Sequence, residues 1–111
     1  MASIEQTADS GAPRYLLVEA GAQRFAWELT LIREIVTVRA VTRLPGAPAW
    51  VLGLVNLRGT VLTVVDLATR LALRGSGAGS VVVLEVDGRT LGVRVDAVLS
   101  VVAARDTFVE P

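Results

Sequence analysis

The sequence predicts an all-β protein built from two small β-barrel lobes side by side, the second of them incomplete. Three observations carry this. Apolar residues fall in short stretches of period two, the spacing of half-buried strands. Gly, Pro and an Asp-Gly pair punctuate those stretches throughout. Residues 15–36 also repeat without a gap at 81–102, an offset of 81 − 15 = 66 positions. Leu16, Val18, Phe25, Trp27, Leu29, Ile32, Ile35 and Val36 thereby fall on Val82, Leu84, Leu91, Val93, Val95, Val98, Val101 and Val102. A repeat of this kind marks a duplicated structural unit. The same offset puts Pro45 on Pro111, so only the first unit runs on into the apolar stretch beyond Pro45. The second unit is about 35 residues, below the size that supports a core of its own.

The elements follow in order. Arg14 to Ala20 reads as a strand, and Gly21 to Arg24 as a turn. Phe25, Trp27 and Leu29 alternate with polar or small neighbours and make the return strand. The spacing of Leu31, Ile32, Ile35 and Val36 suits either a helical turn or a bent strand. Val41 to Leu44 reads as a short strand ended by Pro45-Gly46-Ala47-Pro48, and Ala49 to Leu52 as one helical turn. Gly53 to Leu57 and Thr60 to Val65 form a hairpin about Arg58-Gly59. Val61 to Val65 is apolar on both faces apart from Thr63, the pattern of a strand buried on two sides. Asp66 is placed to cap a short helix, with Leu67 and Leu71 on one face of it. Gly75 to Ser80 reads as a flexible linker. Asp87-Gly88 is a strong hairpin signal in the second unit, because both central positions of that turn favour positive φ. The expected layout is a disordered tail at 1–13, a complete first lobe at 14–74, a linker at 75–80 and a partial second lobe at 81–111.

The 111-residue length allows one domain, or two very small lobes sharing a core. At 52% hydrophobic residues and a mean hydropathy of +0.56, the chain has more apolar surface than so small a protein hides easily. The excess implies a face covered by a partner or a second copy. The chain has no His and no Cys, which removes the commonest general base, thiol nucleophiles and the usual zinc ligands. Its carboxylates are isolated in sequence. Gly75-Ser76-Gly77-Ala78-Gly79-Ser80 lacks the Gly-Lys-Ser/Thr ending of a phosphate loop. A binding module without cofactor or metal is therefore expected, not an enzyme. Eleven Arg balance eleven acidic residues and are scattered singly, which argues against nucleic acid as a partner. No apolar run has the length of a membrane-spanning helix, and the polar start is unlike a signal peptide. A cytoplasmic protein without direct membrane insertion is the expectation.

Gly53-Leu54-Val55-Asn56-Leu57-Arg58-Gly59, continuing through Val61 to Leu67, resembles the signature of the CheW family of chemotaxis adaptors. An Asn-Leu-Arg-Gly turn joins two apolar strands, and Asp-Leu opens a short helix. Leu44-Pro45, Pro48-Ala49-Trp50-Val51 and Ile32-Arg33-Glu34-Ile35 resemble further family segments, so the likeness covers about residues 14–111. Two departures stand out. Thr63 replaces the family's usual Pro, and the family's second hairpin and closing helix have no counterpart before Pro111. The shortened ending fits either a piece of a longer family member or a naturally short one, similar to the small CheW-like adaptor of the myxobacterial frizzy motility pathway. The resemblance implies two SH3-like barrels of five strands each, the second cut short here, in a protein that bridges membrane chemoreceptors and the histidine kinase CheA.

The resemblance also implies where partners bind. A receptor's helical tip would pack into an apolar groove beside the Asn-Leu-Arg-Gly turn, with Ile32, Val55 and Leu57 as its wall and Arg58 as the polar fixture. Barrel core is the commoner fate for any single one of the apolar three. Glu34 is expected to pair with Arg58 and orient the turn. Asn56 would close the turn through its side chain, and Gly59 would supply positive φ. Trp27 fits the core, and Trp50 fits core or interface alike. In the family the principal kinase contact involves the second lobe. The primary expectation is therefore an adaptor that binds chemoreceptor cytoplasmic tips, with weak or no direct CheA-type kinase binding, acting beside a full-length CheW-like protein. Two alternatives stand beside it. One is conventional receptor–kinase coupling with the missing strands supplied by another chain, in a homodimer through unpaired strand edges or a mixed assembly. The other, disfavoured by charge, is a small nucleic-acid-binding barrel.

Overall fold

A computed structural model describes residues 12–38 and 40–103. The expected tail, up to residue 11, and the segment 104–111 lie outside them. The described chain forms eight strands: β1 (Arg14–Ala20), β2 (Gln23–Glu28), β3 (Ile32–Val36), β4 (Val51–Leu57), β5 (Thr60–Asp66), β6 (Ser80–Val86), β7 (Arg89–Val95) and β8 (Ala97–Ala103). One short helix, α1 (Leu67–Arg70), follows β5, and a 3-10 turn (Leu29–Leu31) separates β2 from β3. Two-residue turns with both φ angles positive close three hairpins: Gly21-Ala22, Arg58-Gly59 and Asp87-Gly88. Such turns match the right-handed twist of the strands they join. The all-β class holds. The strands form one sheet in the order β2-β1-β8 and another in the order β3-β6-β7-β5-β4, and neither closes on itself among the described residues.

The sequence repeat is a structural one. Adding 66 converts β1, β2 and β3 into β6, β7 and β8 to within a residue or two at each end. The units exchange their third strands. β3 leaves the first unit to pair with β6, and β8 leaves the second to pair with β1. The exchange is reciprocal down to individual residues. Ile32 lies opposite Leu84 and Glu34 opposite Val83, while Val98 lies opposite Val18 and Ser100 opposite Leu17. Each pair becomes the other by the same offset, and so does the bulge, which falls at Arg33 in β3 and Leu99 in β8. The 75–80 segment therefore does not separate the two sheets, since each draws strands from both sides of it.

Two cores meet on β6. Val82 and Leu84 pack with Leu16, Val18, Val93 and Val95, while Val81 and Val83 pack with Val55, Leu62 and Val64. The strand buried on both faces is thus β6, not β5. Only Val64 to Asp66 of β5 pairs with β7, which leaves Val61 at the hairpin tip 61% exposed. The five-stranded sheet curls about the second core, because Val36 and Val38 at its β3 end pack on the same cluster as Val55 at its β4 end.

Other local expectations need correction. Val41 to Leu44 is not a strand; it contributes one bridge, Thr42 to Leu54, made by two backbone hydrogen bonds of 2.8 Å. The bridge passes over Gly53, whose φ of +141° and contact with the Thr42 carbonyl leave no room for a side chain. Ala49 and Trp50 form a turn, and the helical turn expected to reach Leu52 gives way to β4 at Val51. Leu71 is exposed, and α1 buries Ala68 instead. The ambiguous segment after Trp27 is both things in succession, a 3-10 turn and then a bulged strand. The loop at 75–80 is tethered rather than loose. The Asp96 carboxylate accepts hydrogen bonds from the backbone N–H of Ser76 at 3.0 Å and of Gly21 at 2.9 Å.

Asp66 caps α1 by accepting from the Thr69 N–H at 3.1 Å, and it also accepts from Arg94 Nε of β7 at 2.9 Å. Burial alone would raise its carboxyl pKa, but hydrogen bonds from Thr69 and Arg94 outweigh that and hold it below its ordinary 3.8. A carboxylate depressed in the folded state stabilises the fold above its unfolded pKa and loses that contribution as pH falls through the folded value. Stability is therefore expected to decline below pH 3.8. Asp66→Asn should make that acid limb shallower without removing it, because at Asp96 too burial is outweighed by hydrogen bonds, from Ser76 and Gly21, that hold it low. The substitution should cost about 1–2 kcal/mol at pH 7, read from urea midpoints across pH. In the same assay Val82→Ala is expected to cost about 2 kcal/mol, and Val61→Ala less than about 0.5 kcal/mol.

Candidate functional site

β3 and β8 are edge strands of different sheets, and together they wall an open groove of about 790 Å³. Its lining is mostly apolar. Ile32 and Ile35 come from β3, Val98 and Val101 from β8, Leu29 from the 3-10 turn, and Leu16 from β1. The two walls are related by the repeat: 32 + 66 = 98 and 35 + 66 = 101. The groove is thus a product of the strand exchange, which brings equivalent edges of the two units to one place. The bulges matter here as well. Two residues of the edge strand oppose one of its partner, so β3 and β8 twist out of the plane of their sheets.

The polar lining residues are Thr30, Arg33 and Glu34, with Ser100 on the β8 wall. Glu34 lines the groove and forms an ion pair with Arg58 at the tip of the β4–β5 hairpin. Arg58 has a φ of +52° and Gly59 one of +89°. Asn56 Oδ1 accepts the Gly59 N–H at 2.8 Å, which braces this turn. β3 and the hairpin strand β4 are opposite ends of the five-stranded sheet, so the ion pair spans the gap that the curled sheet leaves open. The Arg58 side chain is 67% exposed, so the pair contributes orientation more than stability. A second exposed ion pair, Arg33 to Glu85, crosses the bulge between β3 and β6.

The residues singled out from sequence divide into three groups. Ile32 and Glu34 line the groove, and Arg58 joins them through its ion pair with Glu34. Asn56 and Gly59 hold the hairpin turn. Val55 and Leu57 pack on the second core instead; Val55 is only 6% exposed and neither lines the groove. Their alternation along β4 turns them toward β5 and β6, away from β8. Sequence reasoning missed Leu29, Ile35, Val98 and Val101. The repeat was the available signal, because Val98 and Val101 are the mates of Ile32 and Ile35. Trp27 packs against the first core, and Trp50 lies under the Arg70 guanidinium, 5.2 Å from its carbon to the ring centroid. Among the described residues no three His, Cys, Asp or Glu are grouped to hold a metal ion, and no helix is long and apolar enough to cross a membrane.

The architecture and sequence have known relatives. The family described as CheW-like domain matches residues 14–111. The chemotaxis protein CheW of Rhizobium meliloti (strain 1021) is 33% identical over 105 residues, covering 92% of this chain and 68% of that protein. The probable chemotaxis protein CheW of Rhizobium etli is 30% identical over 114 aligned positions, covering 100% of this chain and 74% of its relative. The scaffolding protein TtCheW of Thermoanaerobacter tengcongensis shares the fold, with a TM-score of 0.78 at 24% identity over 83% of this chain. This chain spans 65% of that structure, a little under two thirds. With the family match running from β1 to Pro111, and the Asn-Leu-Arg-Gly hairpin and its Asp-Leu helix start within it, the chain belongs to the CheW-like domain family.

Proposed function

We propose that this chain is a non-enzymatic chemosensory adaptor that seats the helical signalling tip of a chemoreceptor in the groove between β3 and β8. The observation that carries the reading is the groove itself. Its apolar walls, Leu29, Ile32, Ile35, Val98 and Val101, carry two charged residues among them, Arg33 and Glu34, held in ion pairs with Glu85 and Arg58. An amphipathic helix needs such a surface: several apolar anchors to bury its stripe and a polar group to set its register. The receptor-facing role of Ile32 and Arg58 is kept, and Ile35, Val98 and Val101 join them. Val55 and Leu57 support the β4–β5 hairpin from behind. Receptor tips lie on the cytoplasmic side, and the adaptor would act there.

Direct kinase binding by these 111 residues is expected to be weak or absent. The family resemblance gives the principal kinase contact to the second lobe. Of that unit the described chain holds β6, β7 and β8, and all three are engaged with strands of the first unit. The chain would then work beside a full-length CheW-like protein that grips the kinase.

Calorimetric titration with a receptor-tip fragment tests the groove. Ile32→Glu and Val101→Glu are each expected to weaken binding at least about ten-fold, as for a central apolar anchor. Arg58→Ala should weaken it by a smaller factor while moving stability by less than about 1 kcal/mol. Binding unchanged in both Glu variants would overturn the groove assignment. Titration with the kinase regulatory domain alone is expected to give no heat, and micromolar binding there would overturn the second part.

A further inference from the structure

The reciprocal strand exchange makes each unit the mate of the other, so one two-fold operation relates them. Ile32 and Ile35 on the β3 wall of the groove answer to Val98 and Val101 on the β8 wall. A two-fold rotation that trades these walls and keeps the mouth of the groove in place turns the groove end for end. An apolar stripe laid along it therefore meets equivalent anchors in either direction. Leu16, Leu29 and Thr30 line the groove while their mates do not, but they carry no charge and bury a stripe run either way.

Charge breaks the equivalence. Arg33, at the β3 bulge, lines the groove, and its mate at the β8 bulge is Leu99. An acid stands ready on both sides, because Glu85, which binds Arg33, has Glu19 as its mate. Only the guanidinium is one-sided. Glu34 is already held by Arg58, which is not among the lining residues, and the mate of Glu34 is Ser100. Arg33 is 56% exposed against 42% for Glu85, and Arg58 is likewise the more exposed member of its pair. The β3 side thus turns its cations outward. A guanidinium has five donors in a fork, so Arg33 can hold Glu85 and still meet a second carboxylate. The β8 side offers Leu99 and Ser100, which cannot.

We propose that Arg33 sets the direction in which a helix lies in the groove. The proposal rests on the groove reading above. The helix bears carboxylates along one flank of its apolar stripe, and it lies in the direction that brings this flank to β3. The apolar anchors hold the helix, and the one-sided cation chooses between its two orientations.

Two peptides test this, three repeats of LAALEAQ and three repeats of LAALQAE. They share composition and Leu stripe, and they carry Glu on opposite flanks, at the positions beside a coiled-coil seam. Each bears a nitroxide at its N-terminus and is titrated into the 111-residue chain while backbone amide NMR signals are followed. The two labels should broaden opposite ends of the groove, each with about a five-fold preference, the scale of an exposed charge pair formed in one direction only. Leu99→Arg gives both walls a guanidinium beside an acid and should level the preference. Arg33→Leu should level it by removal, and the two substitutions together should exchange the ends. Both positions are exposed, so the fold is expected to tolerate them. If the chain binds the receptor-tip fragment, yet both labels mark the same end, each label spreads over both ends, or neither peptide binds, the direction claim is overturned and the groove reading stands. If the labels broaden amides away from the groove and Ile32→Glu leaves receptor-tip binding unchanged, the groove reading fails and this proposal with it.

Discussion

Four consecutive side chains of β6, Val81 to Leu84, are each 5% exposed or less, and the two cores lie back to back on that strand. Hydrophobic burial thereby fixes where β6 goes but not which residue faces which core. A one-residue slip in a strand with one polar face would expose its apolar set. In the run Val-Val-Val-Leu the same slip would only trade one apolar face for the other. The register has to be held by neighbours. The tight Asp87-Gly88 turn locks β6 to β7, and the Arg94–Asp66 contact locks β7 to the end of β5. A turn and a polar contact thus select one alignment among several of similar apolar burial.

The strand exchange gives the groove its shape. If each unit kept its own third strand, β3 would extend the β1–β2 sheet and β8 would extend the β6–β7 pair. Exchange puts each unit's last strand on the other's first, so neither unit completes a sheet without its mate. The two displaced edges then share one apolar depression. The Glu34–Arg58 pair lies at the one place where the curled five-stranded sheet would otherwise gape. Binding surface and fold are in this sense the same feature, and the symmetry of the walls follows from duplication rather than from any particular ligand.

Much of this was legible in the sequence, for identifiable reasons. Strand positions followed from period two and from turn residues such as Asp87-Gly88 and Arg58-Gly59, whose conformational preferences are local. The Asp66 cap was legible because Asp before a short apolar turn has few better uses. Partner choice was not legible. Nothing within 32–36 says that β3 prefers β6 to β1, because the two candidates are themselves repeats with like side chains at matching positions. Val55 and Leu57 were expected at the groove because the family resemblance is strongest there, but their side of β4 is set by the curl of the sheet. Two-sided burial was expected of Val61 to Val65 and realised at Val81 to Leu84, because burial of β5 depends on how far β7 extends alongside it.

The same exchange governs the order in which the molecule can be finished. β1 lies between β2 and β8, and β8 is the last described strand to emerge during synthesis. A nascent chain can close the β1–β2 hairpin as soon as it leaves the ribosome, but β1 gains its second neighbour only when synthesis has passed β8, 75 residues later (103 − 28 = 75). At translation rates of about 5–20 residues per second, the interval lasts seconds, far longer than hairpin formation itself. Through that time an apolar strand edge stands open, and a folding chaperone or an early-arriving partner has its best opportunity to reach it.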